Sequence, residues 1–331
     1  MIFKVKSKKF IIILMGIVML LAKSVASDLI DTLTSKTVEG IVHSVFDHAC
    51  NIKLDRNRLI TLISPKLPNY PSAIKLDIAG NQKLCSIGFK TGMKSVINKD
   101  EIKMPEACLS IKLTGAKVWD SSPLFLRSEI SEEMLNKNIE KIRDLTLKYG
   151  EIEGVASILD GNEVDNNYKN FIINSVKRLA KGISDSDYKE ITEASKRLIG
   201  LGPGLTPAAD DFLLGMLASL YYIGYYFGSH LENLKKIAGL IIYDLPGRTT
   251  FISEIMLRNG MKARFSEPIR DLMLAVIHNT SVQDKCINLL NIGGTSGSDC
   301  AAGIVFGGAL MAKVRILKQV GEVKNGFEIS Y

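Results

Sequence analysis

The stretch GLGPGLTPAADDF, residues 200–212, places a glycine-rich loop directly before a predicted helix. Gly202 and Gly204 permit backbone angles that are closed to other residues, and they leave no side chain in the way of a ligand. We predict Thr206 as the N-cap and Pro207 as the first helical residue. The loop amides and the helix dipole would then face an anion such as phosphate or carboxylate. A tight connection between two helices is the alternative.

Two adjacent acids, Asp210 and Asp211, follow in the first turn of the predicted helix. Acids at this position complement the helix dipole, which is one interpretation. The other is that one carboxylate faces the loop and orients Thr206, a magnesium ion or a substrate amine. We predict no definite cofactor, and Mg²⁺ stays open on this second interpretation.

A second stretch, GGTSGSDCAAGI at residues 293–304, repeats this composition before another predicted helix. In both stretches a glycine follows an aspartate by four residues, as in Asp211 with Gly215 and Asp299 with Gly303. Residues four apart share one helical face, so each glycine would let another backbone approach near the carboxylate. We expect the two helix starts to meet around a shared pocket, with ordinary tight helix packing as the alternative.

Between these stretches lies PGRTTFISEIMLRNG, residues 246–260. Thr249 or Thr250 can cap a helix here, which leaves Arg248 at the mouth of that helix. A guanidinium group beside helix N-termini holds a carboxylate or a phosphate at two points. The alternative is a surface arginine that pairs with an acid.

The residue pattern of the chain changes from short β-branched segments to helical periodicity near residue 130, which predicts an α+β protein. From residue 38 to 118 short β-branched segments indicate a β-rich half, either barrel-like or an open sheet. Beyond Ser131, a predicted N-cap, helical periodicity indicates a helical half with the glycine loops at helix N-termini. The predicted strands are GIVHSVF, RLITLIS, SAIKLDIA, LCSIGF, CLSIKL and AKVWD, and the later predicted helices span 164–181, 186–199, 207–228, 230–243, 249–260, 266–278 and 297–318. The predicted divisions are a leader at 1–26, a β-rich part at 27–130, a helical part at 131–318 and a polar tail at 319–331.

The net charge of +7 does not indicate a nucleic-acid partner. Five lysines lie within residues 1–26, which contain no acid, so the remainder is nearly balanced. No basic stripe interleaved with aromatic residues is present. The five cysteines form no CxxC pair and the four histidines show no zinc spacing, which favours a reducing compartment and no metal site.

The N-terminal segment has two interpretations. Lysines, then the apolar run at 10–22, then small residues up to Ala26 match the three parts of a secretory signal. The run is short for a membrane span, so a membrane partner is not expected. Translation that starts at Met15 or Met19, or an extra N-terminal helix, is the alternative to export or anchoring.

The three glycine and arginine stretches, together with FSEP at 265–268 and GIVHSVFDHACNI at 40–52, resemble the signature segments of the AllH family. The best-understood type of this bacterial family is the AllH subunit of oxamate carbamoyltransferase. The resemblance covers residues 38–316. It implies a cytoplasmic subunit of an enzyme of purine (allantoin and oxalurate) catabolism, which works with two partner subunits. That enzyme phosphorolyses oxalurate to oxamate and carbamoyl phosphate, so the implied ligands are small anionic metabolites of this kind or phosphate.

On this resemblance Gly202, Gly204 and Thr206 would cradle phosphate, and Arg248 would hold the oxalurate carboxylate. Ser296 and nearby amides would stabilise the carbonyl oxygen that gains charge. The predicted catalytic residues are Arg248, Asp211, Ser296 and Asp299, and the predicted binding residues are Gly202, Gly204, Thr206, Asp210, Thr249, Thr250, Gly294, Thr295 and Gly297.

Two departures from the family pattern leave a second function open. Ala208 and Ala209 stand where the family usually has Ser-Gly, and Gly293 and Gly294 stand where it has Gly-His. The loss of a hydroxyl and an imidazole is compatible with a non-catalytic subunit, which would bind an anion as a scaffold or regulator. Cys300 and Ser296 are candidate nucleophiles by location alone.

Overall fold

The computed structural model describes residues 12–14, 17–35, 37–123, 125, 129–160 and 167–325. The chain divides into two compact units, Met1–Ser122 and Pro123–Tyr331. The described strands lie in the first unit, and the long helices lie in the second. This arrangement confirms the predicted α+β class, with a β-rich half followed by a helical half.

The first unit is a closed barrel. Eight strands follow one another around the ring in the order β2, β6, β5, β4, β3, β7, β8 and β9, and the parallel pairing of β2 with β9 closes it. Strands β1 and β10 also pair with β2. Of the two predicted forms, the closed barrel is therefore the observed one. The strands are β1 Ile12–Leu14, β2 Ile17–Ala26, β3 Val38–Val45, β4 Ala49–Lys53, β5 Leu59–Ile63, β6 Ala73–Leu76, β7 Lys94–Ile97, β8 Glu101–Met104, β9 Leu109–Lys112 and β10 Lys117–Trp119.

Branched and apolar side chains of these strands fill the barrel core, since such residues pack well on a pleated surface. Ile52, Ile60 and Ile74, on three neighbouring strands, are fully buried. Two short helices, α1 at Ile30–Ser35 and α2 at Leu84–Ile87, lie between strands in the chain. The predicted strand LCSIGF is wrong, because its first four residues form α2, which ends at a glycine in the left-handed conformation.

The predicted leader overlaps a strand of the barrel. Ile17–Ala26 forms β2, which pairs with β6, β9 and β10. The alternative of an N-terminal helix is wrong for residues 17–22, which are extended. Residues 1–11 and 15–16, where the rest of the predicted leader falls, lie outside the described residues. Within the described part of the chain, no helix is long and apolar enough to cross a membrane.

The second unit is built from nine helices of the described chain. Ser131 caps the first of them as predicted, since its side chain accepts a hydrogen bond from the amide of Met134. Helix α10 was not predicted, and α11 continues past the predicted end at residue 318. The helices are α3 Glu132–Tyr149, α4 Asn167–Asp185, α5 Tyr188–Leu198, α6 Ala208–Tyr226, α7 Leu231–Ile241, α8 Phe251–Met261, α9 Glu267–His278, α10 Val282–Leu290 and α11 Ser296–Asn325, with a 3-10 helix at Val155–Asp160. The predicted helix start at 164–166 and the last tail residues, 326–331, lie outside the described residues.

Helices α6 and α11 run side by side in parallel through this unit. A Cβ atom on Gly215 would overlap the carbonyl oxygen of Cys300, and one on Gly303 would overlap that of Phe212. One turn further along, the Ser219 hydroxyl donates a hydrogen bond of 2.7 Å to the Ile304 carbonyl. The two glycines therefore allow the close backbone approach that the four-residue spacing predicted. Because the helices are parallel, both of their N-termini lie at the same end of the crossing.

Candidate functional site

The loop before α6 has the backbone conformation that its glycines permit. The φ angles of Gly200, Gly202 and Gly204 are +77°, +114° and +99°, in the region that favours glycine. Gly200 packs so tightly against the Arg248 carbonyl that a Cβ atom would overlap it. Among the described residues, the amides of Gly202, Gly204 and Thr206 have no hydrogen-bond acceptor. These amides are therefore available to an anion.

The predicted capping of α6 is wrong by one residue. Pro207, with φ −51° and ψ 139°, is the N-cap, and the helix begins at Ala208. Thr206 makes no capping bond to α6, because its side chain lies elsewhere: its Oγ1 is 3.1 Å from Oγ of Ser296 at the start of α11. The two glycine-containing segments thus meet through a pair of hydroxyls.

Asp210 is a buried structural anchor. Its Oδ1 accepts a hydrogen bond of 2.8 Å from the amide of Gly200, and its Oδ2 accepts bonds from the hydroxyls of Thr249 and Ser253. These three donors come from the loop before α6 and from the start of α8. Asp210 therefore ties the two segments together, and its oxygens are occupied by the fold.

Asp211 lies beneath the pair of hydroxyls and is only 4% exposed. Burial raises the pKa of its carboxyl to about 8, since the charged form loses its hydration; the charges of Asp299 and Asp210 act in the same direction. Hydrogen bonds from Ser296 and Thr206 oppose the shift. Its Oδ2 is buried without a hydrogen-bond partner among the described residues. At neutral pH this carboxyl is therefore mainly protonated.

Asp299 is fully buried in the first turn of α11 and points to a different neighbour. Its Oδ1 accepts a hydrogen bond of 2.9 Å from the amide of Ala156, in the 3-10 helix. Gly154, just before that helix, packs so closely that a Cβ atom would overlap the carboxyl. Burial raises the pKa of Asp299 to about 6, and bonds from Ala156, Thr295 and the Val155 amide oppose this. Asp299 thus holds the 3-10 helix against α11.

The remaining predicted residues of the second stretch divide between surface and core. Gly294 is exposed and has open space around it, whereas Thr295 is half-buried and bonds to Asp299. Gly297 is buried against the end of α10, where a Cβ atom would overlap the Leu289 carbonyl. Its amide donates a 3.0 Å bond to the Ile292 carbonyl. Gly297 therefore has no free amide to donate to a ligand, as the predicted binding role would require.

Arg248 lies at the surface beside the first loop. Its Nε donates a 2.7 Å bond to Oδ2 of Asp244, so it has the acidic partner of the alternative interpretation. Of the two predicted cap residues, Thr250 is the N-cap of α8, and its hydroxyl also donates to the Leu205 carbonyl. Thr249 bonds to Asp210 instead. Both threonines consequently attach the glycine loop to the start of α8.

Neither thiol nor metal chemistry stands out at this site. Cys300 is buried, and burial raises the pKa of its thiol far above the usual value, as do the neighbouring carboxyls of Asp211 and Asp299. A thiol of this kind is a poor nucleophile at neutral pH. Within the described ranges, no group of three or more His, Cys, Asp or Glu side chains is placed to hold a metal ion.

The structure brings together Thr206, Asp211 and Ser296, while Asp210 and Asp299 face outward from this group to their own anchoring segments. Residues that sequence reasoning missed are Ser253, Gly154 and Ala156, together with Ser298, which accepts a bond from the Glu151 amide. Only Ser253, three residues after an N-cap threonine, carried a local signal. The contacts of Gly154 and Ala156 are long-range and leave no pattern in the sequence.

The fold and site define an α+β protein in which an eight-stranded barrel precedes a helical unit with a buried carboxyl group at paired helix starts. A family model described as the AllH family N-terminal domain matches residues 21–118, and one described as oxamate carbamoyltransferase subunit AllH matches residues 198–308. The chain belongs to the AllH family. The second match contains the loops before α6, α8 and α11. No solved structure matches the chain at a significant level.

Proposed function

We propose that this chain is a cytoplasmic subunit of a carbamoyltransferase of oxalurate catabolism, which works with partner subunits. The reaction is the phosphorolysis of oxalurate to oxamate and carbamoyl phosphate. Three features support this proposal: the AllH family, the free loop amides, and the hydroxyl pair above a buried carboxyl. The observation that carries it is the meeting of two helix N-termini, α6 and α11, at Thr206 and Ser296.

Two parallel helix starts suit small anionic substrates. Each helix directs the partial positive charge of its N-terminus toward the same place. The amides of Gly202 and Gly204 would bind phosphate, and the amides around Gly294 would bind the carbonyl oxygen that gains charge in the transition state. The side chains at this position are small or hydroxylic, so they leave room for a planar substrate.

Arg248 would bind the carboxylate of oxalurate. Its Nε is already held by Asp244, which fixes the guanidinium group and leaves the two terminal nitrogens for a carboxylate fork. In this proposal Asp244 is a positioning residue. Thr249 and Thr250 contribute indirectly, because they hold the glycine loop against the helix that follows Arg248.

The experiment is phosphorolysis of oxalurate by the full chain co-expressed with its partner subunits, measured as carbamoyl phosphate formed. We expect Arg248→Ala to lower kcat/KM roughly 10- to 100-fold, since one charged hydrogen bond contributes about 1.5–3 kcal/mol. Arg258→Ala is the matched control, because Arg258 also pairs with an acid four residues earlier, Glu254, but lies in the last turn of α8, away from its N-terminus. An inactive but correctly assembled wild-type complex would contradict the proposal.

A second function, anion binding without chemistry, is favoured by the structural contacts of the other charged residues at the site. Asp210 and Asp299 accept hydrogen bonds from the fold, and Arg248 is paired with Asp244. A scaffold or regulatory subunit of this kind would be stabilised by phosphate or oxamate yet add nothing to the rate of its partners. Thermal unfolding with each anion, beside the rate assay, separates the two functions.

A further inference from the structure

The hydroxyls of Thr206 and Ser296 and the carboxyl of Asp211 form a connected group. The two hydroxyl oxygens are 3.1 Å apart, and both hydroxyls lie close enough to the Asp211 carboxyl to lower its pKa. The carboxyl is 4% exposed, whereas both hydroxyl-bearing residues are half-buried and reach the surface. The group therefore has one buried acid and two surface ends, one on each glycine-containing segment.

The two ends face different parts of the proposed ligand site. Thr206 closes the loop that contains Gly202 and Gly204, whose amides would bind phosphate. Ser296 opens α11, next to the exposed Gly294, where the substrate carbonyl would lie. The attacking phosphate and the bond that breaks would thus lie at opposite ends of one hydrogen-bonded group.

The reaction requires a proton to move between these two places. When a monohydrogen phosphate oxygen attacks the carbamoyl carbon, the phosphate must lose its proton. When the carbon–nitrogen bond breaks, the departing nitrogen must gain one to leave as an amide. One proton is released and one is consumed, so no other acid or base is needed for the balance.

We infer that Asp211, with Thr206 and Ser296, is a proton relay that accepts the phosphate proton at Thr206 and delivers a proton to the leaving nitrogen at Ser296. This inference rests on the proposed function. The carbon–oxygen bond to phosphate forms as the carbon–nitrogen bond breaks, the electron pair of that bond stays on nitrogen, and Ser296 donates its proton there. Asp211 replaces the Ser296 proton and regains its own from phosphate through Thr206.

Burial keeps Asp211 in the state that the relay requires. The charged groups that face it are Asp299 and Asp210, and the Cys300 thiol lies alongside; burial and both carboxyl charges raise its pKa to about 8. A protonated carboxyl can donate at neutral pH and can accept a proton as it donates, which a carboxylate cannot do. Asp299 and Asp210 are held by the fold and are not part of the relay.

The test uses the full complex and compares variants that keep or remove each hydroxyl. We expect Ser296→Ala and Thr206→Val to lower kcat about 100-fold or more, the usual contribution of a positioned acid or base. Ser296→Thr and Thr206→Ser keep a hydroxyl and should recover most of the rate. Wild-type kcat should fall as the pH rises through about 8, and Asp211→Asn should be slow without this fall. Unchanged kcat in Ser296→Ala would overturn the relay.

A second readout separates failure of the relay from failure of the proposed function. Carbon-13 NMR of aspartate carboxyls, assigned by comparison with Asp211→Asn, reports the ionisation of Asp211 whether or not oxalurate is a substrate. We expect Asp211 to be mainly protonated at pH 7, and its pKa to rise further in the Thr206→Val, Ser296→Ala double variant, because both hydroxyls stabilise the charged form. A carboxylate at pH 6 would overturn the relay even in an active complex.

Discussion

The starts of α6 and α11 have the same sequence plan but different roles in the structure. Each has glycines, a hydroxyl residue, an aspartate and a glycine four residues later. The glycines Gly215 and Gly303 do the same task, since each admits the backbone of the other helix. The aspartates do not: Asp211 lies under two hydroxyls, whereas Asp299 holds a 3-10 helix. A shared motif therefore specifies the helix crossing, and the neighbours of each carboxyl determine its use.

The largest effect is expected where the two helix starts are equivalent. Gly303→Ala places a Cβ atom on the Phe212 carbonyl of α6, which forces the helices apart. We expect a loss of at least about 2–3 kcal/mol in the free energy of unfolding, at the upper end of the range for overpacking. Gly215→Ala should behave alike. Chemical denaturation of each variant measures the loss.

Gly239→Ala is the matched control for these variants. Gly239 lies within α7 and has open space where its Cβ would be. Alanine there should leave stability unchanged or raise it by up to about 1 kcal/mol, because alanine is the better helix former. If Gly303→Ala were as stable as Gly239→Ala, the close crossing of α6 and α11 would be wrong.

The next prediction concerns how protein stability depends on pH through the two buried aspartates, Asp211 and Asp299. Both folded-state pKa values lie above the ordinary value of 3.8, at about 8 for Asp211 and about 6 for Asp299. The folded state therefore binds these two protons more tightly, so the stability that they contribute is fully present below about pH 4 and is lost as the pH rises, up to about 6 for Asp299 and about 8 for Asp211.

Asp211→Asn should remove the fall that these two groups cause between about pH 6 and pH 8, together with Asp211's share of the fall between about pH 4 and pH 6, and should leave the share of Asp299. Denaturant unfolding at a series of pH values, for wild type and variant, measures the difference. The variant should be more stable than wild type at pH 8, since it has no buried charge to form there. Identical pH profiles for the two proteins would place Asp211 in water rather than in the interior.

The smallest effect concerns the contact between Thr250 and the glycine loop before α6. The Thr250 hydroxyl caps α8 and also donates to the Leu205 carbonyl in the glycine loop. We expect Thr250→Ala to cost about 1–2 kcal/mol, the usual range for a lost N-cap, and Thr250→Ser to cost much less. Amide hydrogen exchange should also become faster at the loop in Thr250→Ala. Faster exchange around Gly294 instead would contradict the assignment of this contact to the α6 loop.

Much of the fold could be predicted from local patterns. β-branched segments identified several strands, and helical periodicity with cap residues such as Ser131 identified most helices. The sequence predicts a leader where β2 lies, because a fully apolar run has no polar–apolar alternation that would distinguish a buried strand from the apolar part of a leader. Helix α10 was missed, and its N-cap Ser281 lies in the left-handed region instead of the usual extended one.

The residues of the candidate site could be predicted from the sequence, but their hydrogen-bond partners could not. The aspartate and glycine spacing predicted the crossing, because both residues belong to one helical face. Thr206 was predicted as an N-cap from sequence neighbours alone, yet its hydroxyl bonds to Ser296, ninety positions away. The same holds for Asp299, whose partner Ala156 lies 143 positions earlier. Contacts between distant segments are set by tertiary packing, which one sequence does not record.

The most direct measurement is a phosphate titration of the full-length chain labelled with nitrogen-15 glycine, with and without oxalurate. The central claim is that the loops before α6 and α11 together bind anions. The account predicts saturable shifts of the Gly202, Gly204 and Gly294 amides, while Gly239 in α7 stays unchanged. Saturable shifts confined to glycines outside these loops, or no saturable shift at all, would contradict it.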